Sequence, residues 1–304
     1  RALTGAAAVA PSSKILRTDN ADDPLFTEAF KLEVAAAGRL GHDRISNILA
    51  HGFLTEIETA DQPKWCGLPW LAMEIVEGGT ISAMAGKLSW PQLKSVGLDV
   101  LDAIGHAHAR GIMHRDIKPG NVLFDPETGR VKLADFGLAH PIELHRQRLI
   151  EADTTIYGTP YYMAPEQIEC NLRMYGPWTD LYAVGAMMWK LATGHAPYRG
   201  DVHDVLRMHR QGMLPSFQPA RPMPSGLAEW IGINMHRDPD QRFRRAADAA
   251  WALQKIPSDG AIVTTTQPSM DFPSFGCWAK PSPQAERLSL WFDLLSKSVA
   301  PKNV

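Results

Sequence analysis

Between Asn121 and Ala139 the chain reads as two short strand-like stretches, Val122-Leu123-Phe124 and Val131-Lys132-Leu133-Ala134, on either side of Asp125-Pro126-Glu127-Thr128-Gly129. Pro, Asp and Gly at that density make a turn, so the segment predicts a hairpin. A hairpin returns its two ends to one place. Asn121 and Asp135, fourteen residues apart, are thereby expected to face one site.

The rest of the chain divides by periodicity. Phe26, Phe30, Val34 and Ala37 recur every three to four residues, which predicts an amphipathic helix within 25–40, closed by Gly38 and Gly41. Leu71-Ala72-Met73-Glu74-Ile75-Val76 is a short apolar run that stops at Glu77-Gly78-Gly79, as a buried strand entering a turn would. Helical patterns follow over 93–110, with Gly111 where a C-terminal glycine is expected, and over 180–193, 227–235 and 246–256. Strands early and helices late describe an α+β chain with a small mixed lobe and a larger helical one. After Pro257 the composition turns to Pro, Ser, Thr and Gly, which predicts a linker. Beyond it Leu288, Trp291, Phe292 and Leu295 share one face of a short helix that would dock on this chain or on a partner.

Composition narrows the function classes. The 304 residues carry 31 basic and 33 acidic side chains, a formal charge of -2, so no global field favours nucleic acid or an anionic membrane. No apolar run reaches the ~18 residues that span a bilayer, and the Ala-rich start lacks the flank of a signal peptide; a soluble protein is expected. Cys66, Cys170 and Cys277 are scattered and form no C-x-x-C pair, which fits a reducing compartment and a cytoplasmic location.

The chemistry gathers at the hairpin. His114-Arg115-Asp116-Ile117-Lys118-Pro119-Gly120-Asn121 stands just before it, Asp135-Phe136-Gly137 at its end, and Ala164-Pro165-Glu166 downstream. Phosphoryl transfer needs a group that orients the attacking hydroxyl, a cation on the transferring oxygens, and hard oxygen ligands for a small divalent metal. Asp116, Lys118, and the pair Asn121 and Asp135 fill those three parts. His106 and His108 form no competing metal pair, since positions two apart on a helix face different ways.

In order and separation these segments resemble the eukaryotic-type (Hanks-type) Ser/Thr protein kinases, and the wording H-R-D-I-K-P-G-N and Y-G-T-P-Y-Y-M-A-P-E-Q is similar to the bacterial members. The resemblance covers about residues 1–256. It implies a bilobal protein kinase fold, with an N-lobe over 1–75, a C-lobe over 76–256, and the linker and docking helix over 257–304. It implies transfer of the ATP γ-phosphate to protein Ser/Thr hydroxyls, autophosphorylation included, with Mg2+ as the metal and Mn2+ as its alternative. Two other readings stay open: a pseudokinase that senses nucleotide and regulates an attached domain, and a kinase for small molecules. Further domains beyond the termini would follow by analogy with bacterial relatives.

Site roles follow from the same resemblance. Asp116, Lys118, Asn121 and Asp135 would be catalytic, the last two as metal ligands. Lys14 and Glu33 resemble the strand lysine and helix glutamate that pair to aim the lysine at the α and β phosphates. Met73 resembles the gatekeeper, backbone groups of Glu74 and Val76 would bind adenine, Glu77 would reach the ribose, and Leu123 would lie under the ring. Asp180 would brace the catalytic-loop backbone, and Arg242 would pair with Glu166. Lys118 and the Gly158-Thr159 pair resemble the Ser/Thr class. Arg115 would meet a phosphorylated residue, with Thr154, Thr155 and Thr159 as candidates, although nearby Glu151 and Asp153 are expected to supply some of that charge permanently.

Two departures stand out. The Gly-rich loop of the family is absent, its usual place lying upstream of Arg1. Pro11-Ser12-Ser13-Lys14 replaces V-A-x-K; Pro11 has no N–H for a strand ladder, which puts the position of Lys14 in question.

Overall fold

The computed structural model describes residues 11–15, 24–56, 65–136 and 160–257. Contacts divide the chain into Arg1–Thr266 and Gln267–Val304, and the described residues all belong to the first unit. The predicted linker and docking helix lie outside them, as do Gly137, Glu151, Asp153, Thr154, Thr155, Gly158 and Thr159.

Strand β1 (Pro11–Ile15), helix α1 (Pro24–Ala37), and strands β2 (Ile48–Phe53) and β3 (Pro69–Glu74) come first. The strands form an antiparallel sheet in the order β1-β3-β2, with Lys14 opposite Leu71 and Ser12 opposite Met73. Pro11 takes the first position of a strand at the edge of this sheet, where its missing N–H costs the ladder least. Phe30 and Val34 of α1 pack on Leu71, with Ile48, Phe53 and Met73 around them. Met73 is therefore a core residue as well as a neighbour of the segment that follows β3. That segment begins two residues sooner than the apolar run suggested: the strand ends at Glu74, and Ile75 is exposed.

Helix α2 (Trp90–His108) opens with the Ser89 N–H donating to Gln92 Oε1 (2.9 Å) and with Pro91 in its first turn. Its chain leaves through Gly111 at φ 73. The hairpin forms as predicted, from β4 (Val122–Asp125) and β5 (Arg130–Leu133), with Val122 opposite Leu133. Asp99 of α2, 1% exposed, holds it there. Its carboxylate accepts Arg130 Nε through both oxygens, Arg130 Nη2, and the Val131 N–H (3.2 Å). A buried carboxylate persists only with such partners. The segment before β2 docks on the same strand, the Leu133 N–H donating to Arg44 O (2.8 Å) and the Ser46 N–H to Leu133 O (3.0 Å).

The helical part comprises α3 (Pro165–Ile168), α4 (Pro177–Thr193), α5 (Val202–Gln211), α6 (Gly226–Asn234) and α7 (Ala246–Lys255). Helix α4 is buried on nearly every side, as its continuous apolar run requires, and Gly194 at φ 90 ends it. Gly78 is needed for space: a Cβ there would stand 2.3 Å from the Phe124 carbonyl oxygen, so only glycine lets the segment after β3 cross β4.

Within the helical part His209 of α5 is fully buried, its Nδ1 accepting the Tyr182 hydroxyl (2.7 Å) and its ring edge-on to Tyr198. Burial, opposed by a hydrogen bond with the Tyr161 backbone, lowers its pKa from 6.5 to about 3. The folded protein thus keeps His209 neutral while the unfolded chain takes up a proton, so stability falls as pH drops from 6.5 towards about 3. Urea midpoints of the wild type are expected to decline more steeply between these limits than those of His209→Gln; parallel declines would remove His209 as the cause.

Candidate active site

The segment from His114 to Asn121 is held from below by α4. Asp180, fully buried, accepts the Arg115 N–H at Oδ1 (2.7 Å), and the His114 N–H and His108 Nε2 at Oδ2 (2.8 Å each). Burial alone would raise this carboxyl. The His108 hydrogen bond, with the nearby imidazoles of His108 and His114 and the His114 N–H, outweighs it and holds the group below the ordinary carboxylate range. The clamp lets Arg115 sit at φ 65, a left-handed conformation that a non-glycine residue adopts at a cost.

His114 adds a second tie. Its Nδ1 accepts the Asp116 N–H (3.3 Å), which makes Nε2 the protonated nitrogen, and Nε2 donates to Ala134 O (2.8 Å). Its ring lies against Phe136, with centroids 4.6 Å apart. The hairpin closes the arrangement, since the Ala134 N–H donates to Asn121 O (2.8 Å). Asn121 and Asp135 are thereby brought together, and Asp135 stands at φ 64, the second left-handed non-glycine residue here.

Asp116 is gripped at one oxygen. Lys118 Nζ (2.6 Å) and Asn121 Nδ2 (3.0 Å) both donate to Oδ2, and Asn121 Nδ2 also reaches Asp116 O (2.8 Å). With its nitrogen committed, the Asn121 amide has its carbonyl oxygen left as a ligand. That oxygen and the Asp135 carboxylate are the hard donors a small divalent cation takes, so the residues present fit such a metal. Asp116 Oδ1 makes no hydrogen bond among the described residues, and the side chain is 41% exposed.

The residues expected to face the nucleotide are partly visible. Glu74 Oε1 accepts Lys132 Nζ (2.8 Å), and its N–H donates to Asn47 O (3.0 Å). Asn47 Nδ2 reaches Glu74 Oε2 at 3.1 Å. The Val76 N–H makes no hydrogen bond among the described residues. Leu123, half-buried, bridges Thr80, and Glu77 is exposed. The side chain of Lys14 lies outside the described residues. Glu33 meets a partner that the sequence did not suggest, Arg115, with Nη1 3.8 Å from Oε1. Burial raises the Glu33 carboxyl above its ordinary 4.5, and the Arg115 charge works against that rise.

Downstream, Arg242 and Glu166 meet in a buried fork of two bonds, Nη1 to Oε1 (2.8 Å) and Nη2 to Oε2 (2.9 Å). Thr179 Oγ1 also donates to Glu166 Oε1 (2.8 Å). Gln167 Nε2 donates to Arg115 O (3.0 Å) and so ties α3 to the loop bearing Asp116. His108, His114, Gln167 and Thr179 were missed as site-forming residues from the sequence. For His114 the signal was its place beside Arg115-Asp116; the others act across distances that no local pattern encodes.

Comparison with known proteins follows the same outline. Residues 12–251 match the family described as the protein kinase domain. Serine/threonine-protein kinase PknA of Mycobacterium tuberculosis is 29% identical over 248 residues, which cover 80% of this chain and 54% of that protein. Serine/threonine-protein kinase PknH of Mycobacterium bovis is 30% identical over 251 residues, covering 81% of this chain and 39% of the relative. The chain thus spans from about two fifths to just over half of these curated relatives. A crystal structure of the Mycobacterium tuberculosis PknI kinase domain superimposes with a TM-score of 0.59 at 24% identity, covering 81% of this chain and 86% of that one, and so shares the fold. With the matched stretch running from the edge strand β1 into α7 and enclosing every segment just described around Asp116, the chain belongs to the protein kinase family.

Proposed function

We propose that this chain transfers the γ-phosphate of ATP to serine and threonine hydroxyls of proteins. The observation that carries the reading is the grip on Asp116, where Lys118 and Asn121 hold Oδ2 and leave Oδ1 to accept the substrate hydroxyl. The curated relatives named as serine/threonine-protein kinases support the acceptor class. Nothing favours the pseudokinase or the small-molecule reading.

In this reading the small lobe ends near residue 75 and the large lobe covers 76–256. Asp116 Oδ1 orients the hydroxyl, and Lys118, already 2.6 Å from Asp116, places its charge beside the transferring oxygens. Protein kinases use ATP and a divalent metal; Asn121 and Asp135 would hold Mg2+, which neutralises charge on the phosphates. The Val76 N–H and the Glu74 backbone would receive adenine over Leu123, under Met73, with Glu77 at the ribose and Lys14 at the α and β phosphates. Arg115 has a buried Nε–H without a hydrogen bond among the described residues. With only a 3.8 Å contact to Glu33, its guanidinium would pair with phosphorylated Thr154 or Thr155, or with Glu151 and Asp153.

Matched Ser, Thr and Tyr peptides incubated with labelled ATP and Mg2+ test the acceptor class. Label is expected in the Ser and Thr peptides and not in the Tyr peptide. Nucleotide binding without transfer to any of the three would sink the proposal.

A further inference from the structure

A pocket of about 300 Å3 opens between the Pro160–Tyr162 turn and the loop that follows α4. Tyr161 forms one wall; among the described residues Lys190, His195 and Arg199 supply every ionisable nitrogen of the lining, and none of those residues brings a carboxylate to it. Among the described residues neither Lys190 nor Arg199 is paired with an acidic group. The carboxylates that come next in the chain are engaged elsewhere. Asp201 caps α5 by accepting the Asp204 N–H (2.9 Å), and Asp204 pairs with Arg207 (2.7 Å).

The pocket borders the acceptor site. From Tyr161 the chain runs directly to Ala164, whose N–H donates to Gln167 Oε1 (3.1 Å), and Gln167 in turn donates to Arg115 O, next to Asp116. An extended peptide advances about 3.3 Å per residue, so a side chain a few positions from a hydroxyl at Asp116 comes within reach of the pocket. The pocket's frame is rigid. Lys190 belongs to the last turn of the buried helix α4, and Thr193 Oγ1, which accepts the His195 N–H (3.3 Å) and donates to His195 O (2.9 Å), fixes the loop after it. Unpaired cations on a rigid frame favour an anion and repel another cation.

We propose that this pocket binds an anionic side chain of the protein substrate, a carboxylate or a phosphorylated residue near the acceptor, and makes the enzyme select acidic sequences. The inference rests on the Ser/Thr kinase reading above and names its substrate class. Lys190 and Arg199 are then the specificity-determining residues.

The test is a positional set of serine peptides in which Glu, phosphothreonine or Lys is moved along either side of the acceptor. For each protein the readout is the ratio of kcat/KM between the anionic and the Lys peptides, so that a change in overall activity cancels. The wild type is expected to prefer the anionic set by roughly tenfold. Lys190→Glu should bring the ratio to one or invert it, and Arg199→Glu, at an exposed position, should shift it the same way without disturbing the fold. Preference for phosphothreonine over Glu identifies a previously phosphorylated substrate as the source of the anion, and equal preference identifies a carboxylate. Transfer by the wild type without charge preference, a preference for Lys, or a preference unchanged in both variants overturns the inference and leaves the kinase reading standing. If the wild type labels no peptide of any charge, the kinase reading fails and takes the inference with it.

Discussion

Asp116→Asn lowers kcat for transfer by roughly a hundred- to ten-thousand-fold, the range over which a positioned proton acceptor contributes. The substitution keeps the size of the side chain and changes what it offers. An amide oxygen can still take Lys118 and Asn121, as Oδ2 does now. The other end then becomes an N–H donor and can no longer accept the substrate hydroxyl. Because the Asp116 side chain is 41% exposed, folding stability should move by less than about 0.5 kcal/mol. Steady-state kinetics and thermal unfolding of the same preparation check both statements. A variant that keeps a third of the wild-type kcat would show that Asp116 is not the residue that orients the hydroxyl.

Arg242→Ala is the corresponding prediction for stability, a loss of about 3 to 5 kcal/mol, as expected when one member of a buried ion pair is removed and the other is left uncompensated. All five N–H donors of Arg242 are used: Nε to His236 O (2.7 Å), Nη1 to Glu166 and to Trp178 O (3.2 Å), and Nη2 to Glu166 and to Arg237 O (3.1 Å). The guanidinium also lies 4.8 Å from the Tyr182 ring centroid. Truncation leaves three carbonyls and a carboxylate short of a partner. Denaturant midpoints should therefore fall sharply for Arg242→Ala and for Glu166→Ala. The double variant should lose clearly less than the two single losses combined, because the same interaction is removed in each. Strict additivity would show that the pair does not act as a unit.

The hairpin was legible because its turn residues and its two apolar stretches act locally, and with it the meeting of Asn121 and Asp135. Helices α1, α2, α4, α6 and α7 were legible from apolar spacing, to within a few residues at their ends. Strand β2 was not: Ile-Leu-Ala-His-Gly-Phe has no alternation, and a bulge between Ile48 and Ala50 breaks its register. Helix α5 was missed although its signals were present, Asp201 at the N-cap and Gly212 at φ 70 just past the end. Its apolar face is short, and the charged residues between masked it. The Asp180 clamp on the backbone and the pairing of Arg242 with Glu166 were read through the family resemblance. The approach of Arg115 to Glu33 joins α1 to the loop of Asp116, and no spacing in the sequence anticipates a contact made by two folded elements.

The carboxylate of Asp180 ties the backbone at His114 and Arg115 to the most deeply buried helix of the described structure. The conformational entropy of that loop is consequently surrendered when the chain folds, before any nucleotide or peptide arrives. Binding energy from the substrates then has no loop to order, and it can go instead into bringing the phosphate and the hydroxyl into line.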